Sequence, residues 1–270
     1  MTRHLINITR FTSLEVLQAR IFQVLLGVTL AAPLFGVVLS SLFMMDIGKV
    51  YMDGVMSVSH FISVIFILFI TASLLARDIE QKVCYFLVVQ PSSRKAYLFG
   101  RFLGFILMYL LLMTLLSLES VVVGTVLFHD SLPVYVSGFT WFNMSSLVFL
   151  HAFPYIAVLG FVFFIASWAT GFVEIIFFSL AGLLLSWVFP QVLPAIYQVG
   201  SGTEPSTFLY YIFDTLYNLL PHLNGADIAL ALTHDQSLSA KEIVLYLIEH
   251  IAYAGVLMGL AVWQFEKRDL

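Results

Sequence analysis

The stretch ARDIEQKVCYFLVVQPSSRKAYLFGR, from Ala76 to Arg101, decides the fold, because it is a short charged segment between two long apolar ones. The apolar runs on both sides are long enough to cross a bilayer, which takes about 20 helical residues. The stretch is therefore predicted as a loop at one membrane surface, with a short apolar segment of its own and a turn at Pro91. Its seven charged side chains, the densest cluster of charge in the chain, are Arg77, Asp78, Glu80, Lys82, Arg94, Lys95 and Arg101.

The composition of the whole chain indicates that its solvent is lipid. Of 270 residues, 61% are hydrophobic and only 10% are charged, whereas a soluble domain has about 25% charged residues. No soluble fold of this length buries so much apolar surface. The single cysteine, Cys84, excludes an intramolecular disulfide and a cysteine metal cluster.

Apolar runs along the chain predict an all-α membrane protein with six transmembrane helices in a single domain, 23–270. The charged stretch then forms a loop over 77–101 between the second and third spans. The expected spans are about 24–45, 55–76, 102–128, 144–168, 172–193 and 243–265.

The N-terminal region 1–22 precedes the first span and contains an amphipathic segment from Thr9 to Phe22. Its charged residues fall between apolar ones, as in a helix with one wet face. Such a helix lies in the headgroup layer of the membrane; the alternative is that it merely extends the first span. The apolar residues, at spacings of three and four, are Phe11, Leu14, Leu17 and Ile21.

The region 194–242 lacks a full span. Within it, Phe208 to Leu220 is apolar and aromatic but too short to cross the bilayer, so it is predicted as a re-entrant or outer-face helix before the last span. Tyr211 in this helix is a candidate for a lid over the translocation path. The alternative is an aromatic belt at the membrane interface.

The distribution of lysine and arginine predicts the orientation. Six spans place both chain ends on one side, and ten of the 12 Lys and Arg residues fall there, which marks the cytoplasmic side. The loop 77–101 and both termini are therefore expected in the cytoplasm, and 194–242 outside. The two residues on the outer side are Lys49 and Lys241; the ten are Arg3, Arg10, Arg20, Arg77, Lys82, Arg94, Lys95, Arg101, Lys267 and Arg268.

An ordered set of short motifs resembles the type-2 permeases of ATP-binding-cassette transporters. In the loop, the resemblance is carried by Glu80, Leu87, Pro91, Arg94 and the pair Gly100-Arg101. Val83-Cys84 departs from the small Gly-Thr pair often found there. Two later segments are also similar to the family: Leu219-Leu220-Pro221-His222-Leu223 before the last span, and the ending Phe265-Glu266-Lys267-Arg268-Asp269-Leu270.

The resemblance implies a permease, exporter-like, in the inner membrane of a bacterium. It implies a second permease copy, identical or different, and a separate ATPase subunit that carries the ATP and Mg. This chain is then expected to bind no cofactor and no nucleic acid, to contact membrane lipid, and not to be an enzyme itself. The ATPase-coupling residues expected on the loop 78–95 are Asp78, Glu80, Phe86, Leu87, Pro91 and Arg94.

A physical argument independent of the family leads to the same loop. The chain has no glycine-rich phosphate-binding loop, and its short cytoplasmic segments cannot build a nucleotide fold. If ATP drives transport, force must pass through a protein contact at the cytoplasmic face, where apolar anchors bind and charges set register. The alternative is that the loop charges are simply solvated and obey the positive-inside rule.

Polar residues inside the spans are candidates for the translocation path or for gating. An ionised carboxylate facing lipid is costly, so Glu119 in the third span is expected to face protein or a water-filled path. Glu249 and His250 enter the last span and are candidate partners for it. The alternative for Glu119 is a structural bond to a neighbouring span.

Histidines in the apolar regions give a second function class, a membrane anchor or a haem or redox subunit. None of them shows the close spacing of a dedicated metal site, but axial haem ligands need no such spacing. The histidines concerned are His60, His151, His222 and His250.

Overall fold

A computed structural model of the protein describes residues 2–42, 47–81, 94–128, 141–199, 211, 215 and 240–267. In these ranges the chain is almost entirely helical and has no β-strand, which confirms the all-α fold. A π-helix, Phe66–Ala72, joins α3 to α4. The α-helices are α1 (Thr2–Gln18), α2 (Arg20–Ser41), α3 (Ile47–Ile65), α4 (Ser73–Glu80), α5 (Arg94–Phe128), α6 (Trp141–Trp168), α7 (Phe172–Val199) and α8 (Ala240–Lys267).

Five helical stretches in the described ranges are long and apolar enough to cross a membrane, as in an integral membrane protein. They coincide with five of the six expected spans. In α7 the apolar stretch with described side chains, Phe172–Val188, is shorter than the 18 residues required, although the helix itself has 28 residues. The remaining expected span, 172–193, therefore stays a prediction. The five stretches are Arg20–Ser41, Val50–Glu80, Arg94–Val126, Ser145–Trp168 and Lys241–Lys267.

Both edges of the expected loop 77–101 are helical. Helix α4 continues to Glu80, and α5 already begins at Arg94, so the helices extend beyond the hydrophobic runs that predicted them. The coupling residues Phe86, Leu87 and Pro91 lie outside the described residues.

The amphipathic helix is separate from the first span. Helix α1 begins at Thr2, earlier than the expected Thr9, and ends at Gln18. Ala19 then adopts an extended conformation (φ −66°, ψ 125°), and α2 starts at Arg20. Because of this break, α1 is not an extension of α2, and it packs against α5 instead.

Two glycines allow the close approach of α1 to α5. A Cβ atom at Gly100 would lie 2.7 Å from the Ile8 Cγ2 atom, and one at Gly104 would lie 2.6 Å from the Thr12 Cβ atom. The hydroxyl of Thr9 also donates a hydrogen bond to the Gly100 carbonyl, at 3.2 Å. Small residues spaced four apart let helix backbones approach each other in a membrane.

Helices α5 and α6 form the centre of the bundle, and α8 packs closely on α6. The rings of Phe102 and Phe105 meet Phe163 edge to face between α5 and α6, at 5.2 and 6.0 Å between ring centroids. Gly160 brings α6 against α8, because a Cβ there would lie 3.2 Å from the Ala254 Cα atom.

Candidate functional site

A network of charged side chains joins α1, α4 and α5 at one end of the bundle. Arg101 of α5 is 1% exposed and lies between two carboxylates, donating Nη2 to Asp78 and Nη1 to Glu15. The Tyr97 hydroxyl donates a second hydrogen bond to Asp78, at 2.8 Å. Arg77 also binds Glu15, from a position that is 46% exposed.

The charges of this network balance. Two guanidinium groups face two carboxylates, and a buried charge is tolerated only when it is paired and hydrogen-bonded. The rings of Phe11 and Tyr97 lie 5.6 and 5.9 Å from the Arg101 guanidinium carbon, so aromatic faces surround the buried cation. Arg101 therefore joins three helices at one point.

A second group of contacts ties the same region to α7 and α8. The Glu80 carboxylate accepts a hydrogen bond from the Phe172 backbone N–H, at 3.2 Å, at the start of α7. Arg94 donates to the Glu266 carbonyl at the end of α8, at 3.0 Å, and Lys95 pairs with the Glu266 carboxylate at 3.3 Å. A carboxylate at a helix N-terminus and a cation at a C-terminus both complement the helix dipole.

The predicted coupling residues with described positions divide into two kinds. Asp78 is 2% exposed and turned into the protein, so its side chain is not available to a docking partner and holds Arg101 instead. Glu80 and Arg94 flank residues 82–93, and each contacts another helix. The structure thus connects both edges of the segment 82–93 to the rest of the bundle.

Sequence reasoning missed Glu15 and Tyr97 as members of this network and treated Arg101 only as part of a motif. Glu15 was placed on the wet face of the amphipathic helix, yet it turns towards Arg101. The available signal was the position of Arg101, a permanent cation at the edge of a long apolar helix, which needs a carboxylate partner.

A second cluster, made of aromatic rings, lies between α3, α6 and α7. His60 is surrounded by His151, Tyr155 and Trp187, at 6.1, 5.6 and 5.4 Å between ring centroids. The Tyr155 hydroxyl is hydrogen-bonded to Nδ1 of His60. Sequence reasoning placed these two histidines on different spans and did not bring them together.

His151 is the least satisfied member of this aromatic cluster. It is buried, and neither ring nitrogen has a hydrogen-bond partner among the residues that the structure describes. Buried polar atoms without partners are rare, and each costs about 1–3 kcal/mol. In the same ranges, no group of three His, Cys, Asp or Glu side chains is arranged to hold a metal ion.

Several other polar groups of the interior are bonded between helices. The hydroxyls of Ser63 and Tyr109 lie 2.8 Å apart, and the Tyr51 hydroxyl donates to the Ser120 carbonyl at 2.8 Å. The Tyr246 hydroxyl donates to the Leu150 carbonyl at 3.3 Å, which links α8 to α6. These bonds join neighbouring helices and are structural.

The four candidates for the translocation path differ in burial and in their hydrogen-bond partners. Oε2 of Glu119 is buried without a hydrogen-bond partner in the described part of the chain, whereas Glu249 is exposed. His250 is buried with Nδ1 2.8 Å from the Tyr246 carbonyl, one turn earlier in α8. Tyr211 is exposed, and its carbonyl accepts the Thr215 hydroxyl; most of the predicted outer helix lies outside the described residues.

No family model matches the chain, and no curated protein matches its sequence.

Proposed function

We propose that this chain is the membrane-spanning permease subunit of an ATP-binding-cassette transporter of the exporter type. A separate ATPase subunit docks on the segment 78–95 and drives it. The observation that carries the proposal is the pair of contacts at the edges of this segment. Glu80 binds the start of α7, and Arg94 binds the end of α8.

These contacts supply a path for force. A push on residues 82–93 reaches α7 through Glu80 and α8 through Arg94, while Arg101 carries it to α1 through Glu15. Movement of one end of several spans together is what alternating access requires. Asp78 serves this path by holding Arg101, and not by touching the partner.

The remaining parts of the proposal rest on sequence. The clustering of Arg and Lys at the helix ends near this network supports a cytoplasmic location for it and for both termini, with α7 as the fifth of six spans. A second permease copy completes the path, and the bacterial inner membrane is the expected location. An apolar or amphipathic cargo fits spans that carry few charges.

Two charge reversals test the docking segment. We expect Glu80→Lys and Arg94→Glu to lower co-purification of the ATPase subunit, or to uncouple its ATP hydrolysis from transport. The matched control is Lys241→Glu, which reverses an exposed charge at the other end of α8. Gel filtration checks that each variant folds. A complex that forms and turns over normally in both edge variants contradicts the proposal.

The meeting of His60 and His151 favours a second candidate function, a redox or haem-bearing membrane subunit. Histidine is an axial ligand of haem iron, and the ring centroids of His60 and His151 lie 6.1 Å apart. The absorption spectrum and metal content of the purified protein decide this. A Soret band that His151→Phe abolishes supports the second candidate, whereas a spectrum without one, from protein purified out of haem-replete cells, contradicts it.

A further inference from the structure

A groove of about 600 Å³ lies in the corner between α1 and α5. Its apolar wall includes Leu103, Leu107 and Leu110 of α5, and Thr9, Arg10 and Ser13 of α1 also line it. The wall spans seven residues of helix, about 10 Å. The groove is therefore an apolar channel with a cationic side chain, Arg10, in its lining.

Among the described residues that line this groove, Arg10 is the single charged one. Its side chain is exposed and forms no ion pair or hydrogen bond with any residue that the structure describes. The neighbouring hydroxyls are already used as donors: Thr9 donates to the Leu5 and Gly100 carbonyls, and Ser13 donates to the Thr9 carbonyl. The unpaired guanidinium of Arg10 therefore favours an anionic ligand in the groove.

The exposed side chains of α1 indicate where the groove lies relative to the membrane. It exposes Ile6 by 61% and Phe11 by 53%, next to charged residues on the same helix. A helix that exposes both kinds of side chain lies in the interface plane of a membrane. Because α5 is long and apolar enough to cross the bilayer, the corner between the two helices is where a headgroup meets its acyl chains.

We propose that this groove binds an anionic phospholipid, with its phosphate at Arg10 and one acyl chain along Leu103, Leu107 and Leu110. Basic pockets beside transmembrane helices bind anionic headgroups in this way. The lipid lies against the contact between α1 and α5 that Gly100 and Gly104 create, and so it secures the helix that carries Glu15 to Arg101. The site does not depend on an ATPase partner.

The test is lipid binding to the detergent-purified, delipidated full-length protein, measured by native mass spectrometry. The probes are phosphatidylglycerol and phosphatidylcholine with the same acyl chains. We expect phosphatidylglycerol to bind more tightly, and Arg10→Gln to weaken it about fivefold, the effect of one surface cation. Arg3→Gln is the matched control, because Arg3 is an exposed cation on the same helix but does not line the groove.

Filling the channel tests the acyl chain separately. Leu107→Trp should lower phosphatidylglycerol binding, whereas Leu118→Trp, at an exposed position of α5 outside the groove, should not. Three results would overturn the site: equal loss in Arg10→Gln and Arg3→Gln, equal binding of the two lipids, or displacement of the lipid by millimolar inorganic phosphate. The last would mean that the apolar channel contributes nothing.

Discussion

The charged network around Arg101 and the aromatic cluster around His151 are both buried, but they differ in whether the central side chain has polar partners. Arg101 has two carboxylate partners, and those partners are shared with Arg77 and Tyr97. His151 is also buried, yet neither of its nitrogens is bonded within the described residues. The ion pairs of Arg101 hold helices together. The ring nitrogens of His151 are still able to bind, as expected of a site that receives a ligand or water.

The largest expected effect comes from removing Arg101. Arg101→Met leaves Asp78 and the partly buried Glu15 without their shared cation, which should lower the free energy of unfolding by about 3–5 kcal/mol. Thermal unfolding in detergent measures the loss. The double variant Asp78→Asn with Arg101→Met should recover part of it. An Arg101→Met protein as stable as wild type would show that the network does not join the helices.

The contact that brings Glu15 to Arg101 can be broken without changing a charge. Gly104→Ala places a Cβ atom against Thr12, and overpacking of this kind costs about 1–3 kcal/mol. Gly255→Ala is the control, since no atom lies within 4 Å of its added Cβ. We expect reduced thermal stability only for Gly104→Ala; equal stability of the two variants would contradict the close approach of α1 to α5.

The aromatic cluster should respond in the opposite direction. His151→Phe removes two unsatisfied nitrogens and keeps an aromatic ring, so the free energy of unfolding should rise by about 1 kcal/mol. His250→Phe is the matched control, because this buried histidine has a hydrogen bond to the Tyr246 carbonyl. Thermal unfolding in detergent measures both variants. A loss of stability in His151→Phe as large as that in His250→Phe would remove the contrast between the clusters.

The smallest expected effect belongs to Arg77, which shares Glu15 with Arg101. Because Arg77 is 46% exposed, Arg77→Gln should cost no more than about 1 kcal/mol, and less at high salt. Thermal unfolding at low and high salt measures this. A loss as large as that of Arg101→Met would mean that burial does not set the strength of these ion pairs.

Much of the fold could be predicted from sequence, because apolar runs and helical periodicity report directly on single helices. Helices α2 and α6 lie close to their expected spans, and the break before Arg20 agrees with a separate amphipathic helix. Helix α3 begins at Ile47, before the expected start at 55, and the π-helix and α4 complete that span. Glu174 also binds the Thr170 backbone N–H at 2.8 Å, as expected of a carboxylate at the start of α7. These features depend on neighbouring residues only.

The contents of the two clusters could not be predicted in the same way. Periodicity shows which residues share a face but not which helix that face meets, so it could not pair Glu15 with Arg101 or His60 with His151. The π-helix at Phe66–Ala72 has no sequence signal of its own, although such segments are frequent at functional sites. It lies directly before α4, the helix that carries Asp78 and Glu80.

The most direct test uses the single cysteine of the chain, Cys84, which lies between Glu80 and Arg94. A photoreactive maleimide attached to Cys84 in membranes of the producing cell should crosslink to an ATP-binding-cassette ATPase, identified by mass spectrometry. The same reagent on a Cys84→Ala, Lys241→Cys variant should give no such adduct. Crosslinking of that ATPase from position 241 and not from Cys84 would contradict docking at the segment 78–95.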